Sequence, residues 1–172
     1  MSKLTEEINN LLQTFKKLRD PSQGCPWDKE QDFKSIASCS IEEAYEVADA
    51  IEREDFNDLK EELGDLFFQI IFHSGMAEEK KLFNFEEVVK ELNDKLIRRH
   101  PHVFKKEVVS TSFRANQNWE TEKHKENNRK SRIDGVPAAL PSIIQAQRLQ
   151  QKASYVGFDW EDSKDVWNKI NE

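Results

Sequence analysis

At 172 residues the chain is long enough for one domain with a sizeable core, or for one domain and the start of another. With 37% hydrophobic and 34% charged residues, and only five glycines and five prolines, it has the make-up of a helical protein and too little turn chemistry for a β-fold. A net charge of −7 excludes a general nucleic-acid or anionic-membrane surface, so a phosphate-bearing partner has to be met by local positive charge or through a metal ion.

The first helix is expected from about Leu4 to Leu18, where Ile8, Leu11, Leu12, Phe15 and Leu18 recur at helical spacing, and Pro21 ends it. In SQGCPWDKEQ, Gly24 and Pro26 fix a turn expected to present Trp27 and Asp28 outside any regular helix. A tryptophan held there either lids the end of a bundle or offers a flat face on which a nucleobase stacks.

The stretch from Ile41 to His73 carries the chemistry. Read as a helix, Ile36, Ser40, Ala44, Val47 and Ile51 make a small and apolar stripe, with Glu43 and Glu46, an i, i+3 pair, along its edge. In the next helix Leu59, Leu63, Leu66, Phe67 and Ile70 make the stripe, and Glu62 and Asp65, again i, i+3, lie beside it. A short connection around Arg53 to Asp55 makes the two helices antiparallel neighbours, so burying both stripes draws the four carboxylates together. Four negative charges gathered in this way call for a counter-ion, and hard oxygen ligands suit magnesium or manganese. The ordinary alternative is a solvated acidic face.

Gly75 is a weak interruption, and the helix is expected to fade near Lys80. Asn84 then caps another, striped by Phe85, Val88, Val89, Leu92 and Leu96. Its last turn holds Lys95, Arg98, Arg99 and His100 before Pro101; Lys95 and Arg99 share one face at i, i+4, a spacing that lets both grip one polyphosphate. From Val108 the sequence is polar, with Phe113 and Trp119 as its large anchors, and reads as a short helix followed by a flexible connector over 119–136. Its basic cluster, Lys123, Lys125, Arg129, Lys130 and Arg132, reads as solvated. A further helix is expected around Pro141 to Lys152, then a turn from Gly157 to Trp160 and another amphipathic start.

No apolar run reaches transmembrane length and the start MSKLTEEINN is polar, so a cytoplasmic protein without a membrane partner is expected. Cys25 and Cys39 lack metal-type spacing and are expected as free thiols.

These residues resemble the MazG family of nucleoside triphosphate pyrophosphohydrolases, all-α enzymes related to the helical dUTPases. The likeness covers nearly the whole chain and rests on three motifs. They are EExxE at Glu42, Glu43 and Glu46 followed by ExxD at Glu62 and Asp65, CPWD at Cys25 to Asp28, and KLIRRHPHVF at Lys95 to Phe104. The resemblance implies an all-α, four-helix-bundle-like fold that forms a homodimer. It implies Mg²⁺-dependent cleavage of an NTP or dNTP between the α- and β-phosphates, giving the monophosphate and pyrophosphate. By position, Glu43, Glu46, Glu62 and Asp65 would be the magnesium ligands and catalytic carboxylates, with Glu42 and Glu61 behind them or at a second ion. Lys95 and Arg99 would hold the phosphates, and Trp27 the base or ribose. Longer members carry two such domains in tandem; this chain resembles the first over 1–118 and the start of a second, truncated one over 137–172. Two other classes compete with this reading: a di-iron bundle, which needs Glu-x-x-His, a pattern this sequence lacks, and a catalytically silent dimerisation or interaction module.

Overall fold

The computed structural model describes residues 2–105, 111–126, 131–160 and 162–171, and among them all regular structure is helical. The chain forms two compact units, Met1–Leu92 and Asn93–Glu172.

In the first unit α1 (Lys3–Leu18) begins where Ser2 Oγ accepts a hydrogen bond from the Thr5 N–H at 3.3 Å. It ends at Arg19, where the chain folds back tightly and the Cys25 N–H donates to the Leu18 carbonyl at 2.8 Å. Gly24 permits this: a Cβ there would lie 2.3 Å from the Leu18 carbonyl oxygen. Contrary to the expected loop, Trp27 and Asp28 lie on a short helix, α2 (Pro26–Glu30). Pro26 opens it, its fixed φ suiting a first helical position. The Arg19 guanidinium then clamps its far end, donating from Nη1 to the carbonyls of Asp28 and, at 3.2 Å, Gln31.

Helices α3 (Ala37–Glu52) and α4 (Phe56–Glu79) form the expected hairpin. Its turn holds Glu54 at φ 53°, and the Asp55 side chain caps α4 by accepting from the N–H groups of Asn57 and Asp58, both at 3.1 Å. The core is Phe15, Ile36, Ile71, Phe72 and Met76, flanked by Leu11, Leu12, Phe33, Cys39, Phe67, Phe68 and Phe85. Phe15 meets Phe72 edge-on at 5.3 Å. Gly75 does not break α4: a Cβ there would lie 1.9 Å from Phe15 Cε1, so the missing side chain lets α1 seat its phenyl ring on the helix. Asn84 and Glu87 cap α5 (Phe85–Arg99) reciprocally, each side chain accepting from the other's N–H at 2.9 Å.

The expected stripes are only partly buried. Ile36 is sealed and Ser40, Val47, Leu59, Leu66 and Phe67 are half-buried, but Ala44, Ile51, Leu63 and Ile70 are exposed. α1 covers the C-terminal half of α4 around Phe72 and Gly75. The other half of the hairpin therefore keeps Tyr45, Ile51, Phe56 and Leu63 at half exposure or more.

In the second unit, the end of α5 leads through α6 (Pro101–Phe104) to α7 (Ser112–Glu126), α8 (Ser142–Ser154) and α9 (Ser163–Asn171). α7 runs on to Glu126, into the stretch expected as connector, while Arg129 and Lys130 of the basic cluster lie outside the described residues. Its polar sequence is anchored by a few contacts. Trp119 packs against His100 at 4.9 Å and under the Arg99 guanidinium at 5.1 Å, Phe113 meets Tyr155 at 5.6 Å, and Lys152 pairs with Glu120 at 2.8 Å. Gly157, at φ 82°, makes the turn after α8.

Candidate metal centre

The α3–α4 hairpin turns its acidic edges toward one another. Glu43 from α3 and Glu62 and Asp65 from α4 each offer a carboxylate oxygen, and these oxygens lie within 4.8 Å of one another. Glu43 and Glu62 are half-buried and Asp65 is exposed, so the cluster sits at the rim of the hairpin, open to solvent. Partial burial, then the charges of Asp65 and Glu46, push the Glu43 carboxyl above its ordinary pKa. Glu62 is raised as well, by loss of water first and then by Glu46, Asp58, Asp65 and Glu61. Glu46 is therefore a close neighbour of both, although it stands outside the tight trio. Glu42 and Glu61 point to solvent.

A side chain that sequence reasoning missed completes the group. Gln69 Nε2 donates to Glu43 Oε1 at 3.5 Å, an uncharged donor set against the acids. Its signal was there to find, since Gln69 follows Asp65 by four residues and Glu62 by seven and so shares their side of α4. One turn further, His73 Nε2 lies 3.2 Å from Ser40 Oγ and its ring stacks on Phe33, tying the two helices together; burial lowers its pKa.

Trp27 is 56% exposed, its ring edge-on to Phe72 at 6.5 Å. Phe72 is seven residues beyond Asp65 on the same side of α4, a rise of about 10 Å at 1.5 Å per residue. Lys95 and Arg99 belong to the second unit. Lys95 is half-buried; Arg99 is buried, its Nε and Nη2 donating to Glu126 Oε2 at 2.8 and 2.5 Å. Arg98 binds the other oxygen, and the two guanidinium groups hold the Glu126 carboxyl down to about 2.

The donor set fits a hard divalent cation: three carboxylate oxygens converge from two helices, with a fourth acid beside them and open access for further oxygen ligands. Residues 31–104, which hold all of these acids together with Lys95 and Arg99, match the MazG nucleotide pyrophosphohydrolase domain. This stretch of the chain is thus similar to a MazG domain. It is 45% identical over 169 residues to the nucleoside triphosphate pyrophosphohydrolase of Escherichia coli K12, covering 96% of this chain and 64% of that protein. It is 43% identical over 167 residues to the pyrophosphohydrolase/pyrophosphatase MazG of Thermotoga maritima, with the same coverage. The chain thus spans about two thirds of the length of these curated relatives. In fold, it resembles a crystal structure of a mazG-related protein from Thermotoga maritima with a TM-score of 0.54 and 26% identity, over 67% of this chain and 97% of that one. Trp27 precedes the span matched to the MazG domain. Among the described residues, no helix is long and apolar enough to cross a membrane.

Proposed function

We propose that the chain is a divalent-metal-dependent nucleoside triphosphate pyrophosphohydrolase, cleaving an NTP or dNTP between the α- and β-phosphates to the monophosphate and pyrophosphate. The observation that carries this reading is the convergence of Glu43, Glu62 and Asp65 from facing helices, within a domain whose relatives are named for that activity. Glu43, Glu62 and Asp65, with Glu46 beside them, hold Mg²⁺ or Mn²⁺, and Glu42 and Glu61 serve behind them or at a second ion. When bound, the ion offsets the charge that builds on the phosphoryl oxygens. The protein's own part is to position. Lys95 and Arg99 take the outer phosphates, which requires Arg99 to turn from Glu126 to its substrate. Trp27 stacks on the base, and the distance along α4 from Asp65 to Phe72 leaves room for the nucleoside between. One of the cluster's carboxylates takes the proton of the water that attacks the α-phosphorus in line.

The protein acts as a cytoplasmic homodimer, with the uncovered half of the α3–α4 hairpin, Tyr45, Ile51, Phe56 and Leu63, as the contact face. A tandem arrangement, a catalytic domain over 1–118 and a second MazG-like segment from 137, belongs to the same proposal, with α7 carrying the chain as helix to Glu126 between them. A silent interaction module is the second reading, favoured by the engagement of Arg99 with Glu126. Product analysis separates the two. With magnesium present, phosphorus NMR should show monophosphate and pyrophosphate as the products. Diphosphate and orthophosphate would refute the cleavage site, and no turnover of any common nucleotide would leave the silent module standing.

A further inference from the structure

Within the second unit, the end of α5 is met by the last residue of α7. Arg99 donates from Nε and Nη2 to one oxygen of Glu126, at 2.8 and 2.5 Å, and Arg98 donates from Nε to the other oxygen. The Arg99 side chain is 9% exposed, so this edge of its fork is spent on the carboxylate and not on water.

Local helix electrostatics does not call for an acid at this place. The C-terminal end of a helix carries partial negative charge, which favours cations and disfavours a carboxylate, yet Glu126 ends α7 behind Lys123, His124 and Lys125. Arg98 and Arg99, in the last turn of α5, are already well placed for their own helix. The effect of the pair therefore lies between the helices. The two guanidinium groups hold the Glu126 carboxyl down to about 2, so it stays charged at any working pH. A second contact of α7 falls on the same arginine: the Trp119 ring lies under the Arg99 guanidinium at 5.1 Å. α7 has no buried residue of its own, and drawing Arg99 away breaks both of these contacts.

A guanidinium fork takes carboxylate and phosphate oxygens in the same way, so the two compete for it. We propose that Glu126 is an internal competitor for the substrate's phosphates, an autoinhibitory latch that keeps the Arg99 fork filled until a polyphosphate displaces it. This rests on the proposed role of Arg99 in holding the outer phosphates. Apparent affinity falls in proportion to the fraction of molecules in which the fork is open, so removing the competitor tightens binding. The sign separates the latch from a supporting role. If Glu126 merely held Arg99 in place for its ligand, removing it would weaken binding.

The test is calorimetric titration of the full chain with inorganic tripolyphosphate in EDTA, which reads the cations without metal or nucleotide hydrolysis. Glu126→Gln keeps the shape and one acceptor oxygen while removing the charge; Glu126→Asp keeps the charge and shortens its reach by one methylene. Expected are saturable binding by Glu126→Gln at least fivefold tighter than by the parent, a gain of twofold or more in Glu126→Asp, and loss of the gain when Arg99→Gln is added to Glu126→Gln. Melting curves check that the variants fold, and the aspartate variant carries the test should the glutamine variant not. Unchanged or weaker binding in the folded variants, or a gain that survives the loss of Arg99, would overturn the proposal. With magnesium and nucleotide, Glu126→Gln should lower KM, and a raised KM would count against the latch. Absence of turnover in both proteins, with the tripolyphosphate results as expected, would refute the proposed activity and leave the latch standing.

Discussion

Glycine-to-alanine substitutions at two positions of α4 should act in opposite directions. In an exposed helix interior, alanine is favoured over glycine by about 1 kcal/mol, because glycine loses more backbone freedom on folding. At Gly64 a Cβ would meet nothing within 4 Å, so Gly64→Ala should stabilise by most of that amount. At Gly75 the same Cβ would lie 1.9, 2.4 and 2.9 Å from three carbons of the Phe15 ring. That ring is 4% exposed and held edge-on against Phe72, so it cannot swing away without opening the α1–α4 contact. Overpacking of this kind costs about 1–3 kcal/mol, which outweighs the propensity gain. In a unit of this size 1 kcal/mol moves the melting temperature by about 4–8 °C. Melting followed by far-UV circular dichroism should therefore place Gly64→Ala above the parent and Gly75→Ala below it. A Gly75→Ala protein as stable as the parent would refute the seating of α1 on α4.

Other outcomes follow from the site. In EDTA, Glu46→Gln should melt at or above the parent temperature, because it removes a charge that raises both Glu43 and Glu62; with millimolar magnesium it should gain less, since that gain is set by binding to the folded state. Trp27→Ala should raise KM for every nucleotide by a similar factor, corresponding to about 1–3 kcal/mol for a lost stack. A drop in melting temperature at unchanged KM would instead make Trp27 a lid on Phe72. The pH dependence has two signs. Glu43 and Glu62 bind protons more tightly in the folded protein, so the metal-free protein should lose stability as pH rises from about 4.5 through their raised pKa values, and magnesium should flatten that slope. Glu126, held down to about 2, contributes stability above pH 4.5 that is lost as pH falls toward 2. Arg98→Gln should shrink that acid-side loss in a melting series.

What could be read from the sequence was what depends on local spacing. The i, i+3 pairs Glu43/Glu46 and Glu62/Asp65 fix their faces by helical geometry alone, and the brief turn at Arg53 to Asp55 forces the helices antiparallel, so the acidic rim was legible. Side chains acting at a distance were not. α2 depends on Arg19 reaching the carbonyls of Asp28 and Gln31 from nine and twelve residues away. Gly75 looked like a weak breaker because its reason for being glycine, the Phe15 ring, lies sixty residues earlier. Arg99 looked like a free cation because Glu126, its partner, follows a stretch with little apolar patterning. The apolar stripes were drawn as if each helix were covered along its length, whereas α1 covers only part of α4.

The proposed activity depends on the acidic rim holding a divalent ion. Titrating Mn²⁺ into the parent and Glu62→Gln, with free ion followed by electron paramagnetic resonance, measures this directly. The parent should bind saturably, compete with Mg²⁺ and hydrolyse nucleotide with the same ion dependence, while Glu62→Gln binds at least tenfold more weakly. Equal Mn²⁺ affinity in the two proteins would contradict the metal centre formed by Glu43, Glu62 and Asp65.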